Sequence, residues 1–234
     1  MRILAFETSA KAASVALIAD GKLLGESYQN TGLTHSQTLM VMAEDLLKQC
    51  SLSTQDLDAV AVAAGPGSFT GVRIGVAAAK GLAWGLQKPC YGVSTLESMA
   101  LGLGAFEGTV CPVMDARRSQ VYNALFEAEG GQLTRLEEDR AISLEELAAQ
   151  LQTARQPIFL VGDGSELTWC TLKDRVPGLV LPHEHRMHQR GAGVALAAWA
   201  AVCRGEIGDA ASMQPNYLRL SQAEREKAER EKGK

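Results

Sequence analysis

The chain has 234 residues, of which 46% are hydrophobic and 21% are charged, and its formal net charge is −4 at pH 7. This composition is typical of globular proteins and excludes a disordered chain, and an acidic body without a Lys/Arg cluster argues against nucleic-acid binding by the chain alone. No apolar run reaches the ~20 residues of a membrane helix, and Glu7 comes too early for a secretory signal, so we expect a cytoplasmic protein without membrane contact.

The first thirty residues have the pattern of a β-meander. Short apolar runs predict strands over 3–6, 13–18 and 22–28, and Asp20-Gly21 predicts a hairpin turn between the last two. The following Thr34-His35-Ser36-Gln37 has the spacing of a capping box, which predicts a helix from Thr34 to about Cys50.

A continuous run of small apolar residues over 58–64 predicts a buried strand. It leads into a glycine-rich turn, Gly65 to Gly71, and a helix from about Thr70 to Leu86. A third helix is predicted from Ser94 or Thr95 and ends among glycines, where we expect a domain boundary.

Beyond that boundary the pattern of the N-terminal hairpin repeats. A strand over 110–115 ends in Asp115 as the first strand ends in Glu7, and a turn and a returning strand over 120–126 follow. This repetition predicts an α/β protein made of two duplicated βββα-type halves, with a site between them. The predicted ranges are 1–105 for the first half, 106–220 for the second and 221–234 for a solvated charged tail. Later predicted elements are a helix over 143–151, a strand over 157–161 and a helix over 191–203.

The glycine-rich turn is the most specific local feature. A strand, a turn with Gly65, Gly67 and Gly71, and a helix together offer backbone N–H groups to a phosphate. The turn is not a Walker motif, since no G-K-[ST] follows, and Thr70 stands where G-x-G-x-x-G needs its last glycine. The alternative is a tight turn whose glycines let a neighbouring backbone pass close by.

Two acidic residues stand at equivalent strand ends. Glu7 and Asp115 could hold a magnesium nucleotide across a cleft between the halves. The alternative is that both are solvated strand ends.

The helices predicted over 34–50 and 70–86 carry apolar residues on more than one face. One sheet covers only one face of a helix, so the surplus predicts a partner helix pair, with small residues allowing close approach. The alternative is a core formed within the chain. Leucine at Gly75 or Ala79 is expected to break pairing and leave the subunit folded. The predicted partner-interface residues are Met40, Val41, Leu47, Gly71, Ile74, Gly75, Ala78, Ala79 and Leu82.

Other reactive groups indicate no catalytic or metal site. His183, His185 and His188 lie in a polar loop, for which a surface role is favoured over metal binding, and His35 has Leu39 rather than His four residues later. No nucleophile motif such as G-x-S-x-G occurs. The five cysteines are odd in number and form no C-x-x-C pair, which is typical of a reducing compartment.

Several segments resemble the bacterial TsaB (YeaZ) family. They are Met1 to Ser9, Gly65-Pro66-Gly67-Ser68-Phe69-Thr70-Gly71-Val72-Arg73-Ile74-Gly75, Gly92 to Leu96, Asp115 to Arg118 with Val121-Tyr122, and Pro215 to Arg219. The resemblance covers nearly the whole chain, although residues 130–190 match only loosely.

The resemblance implies an actin-like, sugar-kinase-like (ASKHA) ATPase fold and a role in making N6-threonylcarbamoyladenosine (t6A) on tRNAs that read codons beginning with A. In that pathway TsaD carries the metal and the catalysis. The resemblance implies that this chain is a non-catalytic subunit that pairs with TsaD through its N-terminal helices, and that the ATPase TsaE joins the complex. It further implies a homodimer when alone, contact with tRNA only through the complex, no tightly bound cofactor alone, and ATP or ADP in the complex.

Carried onto this sequence, the resemblance places Gly65 to Arg73 at the TsaD- and nucleotide-facing surface. The candidate nucleotide-proximal residues are Glu7, Gly65, Gly67, Ser68, Thr70, Arg73 and Asp115. Glu7 departs from the family, whose first strand commonly ends in Asp. The alternative function is an actin-like ATPase or small-molecule kinase that acts alone through Glu7, Asp115 and the turn at Gly65.

Overall fold

A computed structural model describes residues 1–104 and 106–219. The charged segment 221–234, which the sequence predicts as a solvated tail, lies outside the described residues. The first part of the chain forms β1 (Arg2–Glu7), β2 (Ala13–Ala19), β3 (Lys22–Gln29), α1 (His35–Gln49), a 3₁₀ turn (Thr54–Asp56), β4 (Ala59–Gly65), α2 (Phe69–Leu86), β5 (Cys90–Ser94) and α3 (Thr95–Leu103).

The first sheet has the strand order β3-β2-β1-β4-β5. Strands β1, β2 and β3 pair antiparallel, and the hairpin turns at Asp20-Gly21, where both residues have positive φ (48° and 77°) as a two-residue hairpin of this kind requires. Strands β4 and β5 are parallel to β1. All seven residues of β4 are buried, which explains its unbroken small-apolar sequence.

The second sheet repeats this topology. Its elements are β6 (Gly108–Asp115), β7 (Gln120–Glu129), β8 (Gln132–Ser143), α4 (Leu144–Leu151), β9 (Ile158–Val161), α5 (Ser165–Leu172), β10 (Leu179–Val180), α6 (Glu184–Met187) and α7 (Gly191–Cys203). The strand order is β8-β7-β6-β9-β10, with the first three strands antiparallel and the last two parallel to β6. The predicted duplication of an α/β half is therefore confirmed.

The two halves exchange a helix. Helix α3 follows the first sheet in sequence, yet Leu96, Met99 and Leu103 belong to a core with Val110 and Phe126 of the second sheet. Helix α7 follows the second sheet, yet its residues Val194, Ala195, Ala197 and Ala198 cover Ile3, Ala5, Ala16 and Ile18 of the first sheet. The core under each sheet thus contains residues from both predicted ranges.

Helix α7 is almost wholly apolar because it is covered by β1, β2 and α3. It has 13 residues, and among the described helices none combines the length and the hydropathy needed to cross a membrane.

Several local features differ from the sequence predictions. Strands β5, β8 and β10, helices α5 and α6 and the 3₁₀ turn were not predicted. Helix α1 begins beside Thr34 as predicted, but the capping box is wrong: the Thr34 side chain makes no cap hydrogen bond, and the Gln37 N–H instead donates to the Thr34 carbonyl (2.9 Å). A capping box does form at α4, between Ser143 and Glu146.

Candidate functional site

A cleft of about 580 Å³ lies between the halves, where the carboxyl ends of β1, β4 and β6 meet. The first half contributes Ser9 and Lys11 from the β1–β2 loop and Gly67, Ser68 and Thr70 from the glycine-rich turn. The second half contributes Asp115, Arg117, Tyr122 and Asp163, and the C-terminal segment contributes Asn216, Tyr217, Leu218 and Arg219. Of the candidate nucleotide-proximal residues, Gly67, Ser68, Thr70 and Asp115 line this cleft, whereas Glu7, Gly65 and Arg73 do not.

The glycines of the turn allow close packing against the β1–β2 loop. The Ser68 N–H donates to the Ser9 carbonyl (2.7 Å), and a Cβ on Gly67 would stand 2.6 Å from that oxygen. A Cβ on Gly71 would collide with the Thr8 carbonyl. The packing alternative therefore accounts for Gly67 and Gly71, and the Ser68 hydroxyl caps α2 by accepting from the Gly71 N–H (3.3 Å).

Glu7 is fully buried at the end of β1. Its Oε1 accepts from the Ser9 N–H (2.5 Å), while Oε2 has no hydrogen-bond partner. Burial, with a smaller contribution from the nearby Asp163 carboxylate, raises the pKa of Glu7 to about 7 against the lowering effect of the hydrogen bonds from Ser9. The expectation of a solvated strand end is wrong for Glu7, because the two halves close over it.

Asp163 is a site residue that the sequence analysis missed. Asp163 is exposed at the cleft surface, yet the protein around its carboxyl group removes part of its hydration and raises its pKa, and the charge of Asp115 acts in the same direction. Its Oδ1 accepts from Gln189 Nε2 (2.8 Å). The duplication carried a signal for it: Gly162-Asp163-Gly164-Ser165 follows β9 as Gly65-Pro66-Gly67-Ser68 follows β4. A Cβ on Gly164 would lie 3.0 Å from the Asp115 nitrogen, as one on Gly67 would meet Ser9.

Asp115 is exposed at the end of β6, and its Oδ1 accepts from the Arg117 N–H (2.7 Å). The turn that follows holds Arg117, Arg118 and Ser119 at φ values of 63°, 55° and 56°. Three successive non-glycine residues in the left-handed region are unusual. They give this turn, which borders the cleft, a tightly turned backbone rather than an extended one.

The predicted histidine cluster lies at α6. The rings of His183 and His185 stack with centroids 6.0 Å apart. Across the described residues, His, Cys, Asp and Glu form no group of three that could hold a metal ion. His35 has a structural contact, its ring nitrogen lying 2.8 Å from the Ala10 carbonyl.

A second candidate surface is formed by α1 and α2, and here four predicted interface residues need correction. Gly71, Gly75 and Ala79 are buried within the chain, because the inner face of α2 packs on Thr8 and β4. Leu47 is only 4% exposed and belongs to the same core. The expectation that leucine at Gly75 or Ala79 would leave the subunit folded is therefore wrong.

The remaining predicted residues are accessible. Met40 and Val41 are 45% and 56% exposed, and Ile74, Ala78 and Leu82 are partly exposed. A groove of about 480 Å³ is lined by Met40, Val41, Glu44, Leu47 and Lys48 of α1, by Leu82 of α2 and by residues 52–54.

Beyond Arg73, whose Nε donates to the Tyr217 hydroxyl, the exposed residues of α2 are uncharged and, apart from Trp84, small. They continue from the groove through Ala77, Gly81 and Gly85 to Trp84, which is 73% exposed. An added Cβ on Gly81 or Gly85 would meet nothing within 4 Å. Lys80 lies in this stretch, but its ammonium is directed to the Met213 and Ala211 carbonyls (2.8 and 3.3 Å). We call this surface the α1/α2 face. It consists of Met40 and Val41 of α1 and of Ile74, Ala77, Ala78, Gly81, Leu82, Trp84 and Gly85 of α2.

Two halves of one topology around a central cleft define an actin-like (ASKHA) fold. Component A of (R)-2-hydroxyglutaryl-CoA dehydratase from Acidaminococcus fermentans shares this fold at 11% identity and a TM-score of 0.50, over 87% of this chain and 99% of that one. The structure of YeaZ from Pseudomonas aeruginosa is much more similar, with a TM-score of 0.75 and 29% identity over 93% of this chain and 99% of that one.

Sequence comparisons identify the family. The model "TsaD: tRNA N6-adenosine threonylcarbamoyltransferase" matches residues 29–224. The tRNA threonylcarbamoyladenosine biosynthesis protein TsaB of Bacillus subtilis is 34% identical over 96% of both chains, and that of Escherichia coli is 38% identical over 77% of this chain and 78% of the relative. The chain belongs to the TsaB (YeaZ) family of tRNA threonylcarbamoyladenosine biosynthesis proteins.

Proposed function

We propose that this protein is a non-catalytic subunit of the machinery that makes t6A on tRNA, and that it supports a TsaD transferase by pairing with it through the α1/α2 face. The observation that carries this proposal is the exposed face of α2 beyond Arg73, which is uncharged and, apart from Trp84, made of small residues. The same surface would pair two copies of the chain when TsaD is absent.

The composition of the α1/α2 face supports a helix partner. Contiguous apolar surface on a soluble protein marks an interaction site, and interface cores are depleted in charge. Glycine in an exposed helix position costs about 1 kcal/mol relative to alanine, so Gly81 and Gly85 are unfavourable for the isolated helix. Gly81 and Gly85 lie about one helical turn apart and would let a second helix approach closely. A close helix contact would therefore explain why glycine occupies these exposed positions.

The cleft supports a non-catalytic role. Glu7 is sealed from the cleft by burial, and its pKa of about 7 leaves it partly protonated at neutral pH, so it is a poor ligand for a magnesium nucleotide. The C-terminal segment Asn216 to Arg219 also lies in the cleft. We propose that the chain binds no nucleotide tightly alone, that ATP or ADP enters with TsaD and TsaE, and that tRNAs reading codons that begin with A are contacted through the complex.

The pairing proposal is tested by Gly81→Arg. A charged side chain in a desolvated helix contact has no partner, so we expect at least about a hundredfold weaker association with TsaD. Mixtures with TsaD from the same organism would be measured by light scattering on size-exclusion fractions. Ala149→Arg, on the exposed face of α4, is the matched control and should pair normally. Normal pairing of the Gly81 variant would contradict the proposed surface.

A separate measurement distinguishes the alternative of an ATPase or small-molecule kinase acting alone. Titration calorimetry of the isolated chain with magnesium ATP should give no tight binding. Tight binding that Asp115→Ala abolishes would favour the enzyme.

A further inference from the structure

We propose that residues Asn216 to Arg219 are a strap that latches the two halves together across the cleft. The strap is independent of the α1/α2 face, and it would control how far the halves separate when a ligand enters between them.

The strap begins at a firm anchor on the first half. Met213 is buried, its sulfur lies 3.9 Å from Cys90 Sγ, and its carbonyl accepts from Lys80 Nζ (2.8 Å). The Asn216 N–H then donates to the Ala64 carbonyl (2.7 Å) near the end of β4. This backbone hydrogen bond therefore joins the start of the strap to β4 of the first sheet.

An aromatic contact holds the middle of the strap. The Tyr217 ring lies with its centroid 4.9 Å from that of Phe69, at the start of α2. The Arg73 guanidinium lies 3.8 Å from the Phe69 centroid, and its Nε donates to the Tyr217 hydroxyl (2.7 Å). Arg73, which the sequence analysis placed near a nucleotide, is thus engaged by the strap.

The far end of the strap reaches the second half. Arg219 Nη1 donates to the Ala116 carbonyl (2.6 Å), in the turn that follows Asp115. Ala116 is itself fixed, since its N–H donates to the Gln120 carbonyl (3.0 Å). The four residues of the strap therefore run from a backbone hydrogen bond with β4 of the first half to a hydrogen bond with the turn after β6 of the second half.

Gly65 is adapted to the strap. Its φ is +120°, and a Cβ there would collide with the Asn216 carbonyl. The positive φ and the close approach of Asn216 together explain why this position is a glycine, and neither involves a phosphate.

The test measures the separation of the halves. Spin labels on Cys170 of α5 and Cys203 at the end of α7, which are exposed native thiols, report the distance between the halves once Cys50→Ser removes the third accessible thiol. Cys203 is the last residue of α7, the helix that covers the first sheet, and Cys170 lies on the second half. We expect a single narrow distance distribution for this background.

Removing the latch with Tyr217→Ala and Arg219→Ala together should shift part of the distribution to a longer distance. Tyr217→Phe is the matched control, since it keeps the ring contact with Phe69 and should retain the narrow distribution. Gly65→Ala is a second way to release the strap, because the added Cβ would displace Asn216 while every strap residue stays unchanged. Folding is checked by the thermal midpoint and circular dichroism of each variant. Distributions for the double variant and the background that superimpose would overturn the proposal.

Discussion

Glu7 shows how one methylene and its burial change the chemistry of a strand end. In a closed environment, a carboxyl group with one oxygen on a backbone N–H and the other unpartnered holds its proton more tightly than it does in water. The residue that the sequence pattern suggests as a metal ligand is therefore a buried group that disfavours its own charge.

The raised pKa makes a prediction about stability. The unfolded value is near 4.5 and the folded value about 7, so the folded state holds the proton more tightly, and stability is lost as pH rises from about 4.5 through 7. The loss is roughly 3 kcal/mol when complete. We expect Glu7→Gln to match the parent near pH 5 and to exceed it at pH 8. Urea denaturation at both pH values checks this, and a difference that does not vary with pH would contradict it.

Helix α2 has two faces with opposite requirements for its glycines. Gly71 lies against the Thr8 backbone, while Gly81 faces open space. We expect Gly71→Ala to destabilise the fold by about 1–3 kcal/mol, as overpacking does, and Gly81→Ala to stabilise it by up to about 1 kcal/mol through helix propensity. Chemical denaturation of both variants measures this. Equal effects would mean that the two faces are not distinct.

The limits of sequence analysis are clearest in this helix. The apolar residues on several sides of α2 correctly indicated that one sheet does not cover the whole helix. Gly71, Gly75 and Gly81, however, are indistinguishable in the sequence. Only the position of the β1–β2 loop decides which glycines are internal. Strand β8 was missed for a similar reason: as an edge strand rich in charge, its residues Gln132–Ser143 lack the apolar alternation by which strands are recognised.

At the scale of the whole molecule, the repeated sequence pattern of a strand, an acidic residue and a turn was sufficient to predict two duplicated halves. It could not predict the helix exchange, because α3 and α7 are apolar on most sides and the sequence does not say which sheet each covers. The strap likewise could not be predicted, since its residues acquire their positions only when the halves meet.

The exchange predicts cooperative unfolding. Because α3 completes the core of the second sheet and α7 that of the first, neither half can lose its structure without uncovering the other. We expect one calorimetric transition with equal calorimetric and van't Hoff enthalpies. Two resolved transitions would show that the halves are energetically separate.

The exchange also has a consequence during synthesis on the ribosome. Strand β5 is complete at Ser94, but the helix that covers the inner face of the first sheet ends at Cys203. At bacterial and eukaryotic elongation rates, the face formed by Ile3, Ala5, Ala16 and Ile18 must wait on the order of 10 s for its cover. The nascent chain therefore offers an uncovered apolar sheet to chaperones while residues 95–203 are translated, and its N-terminal half matures only when the C-terminal half is almost finished.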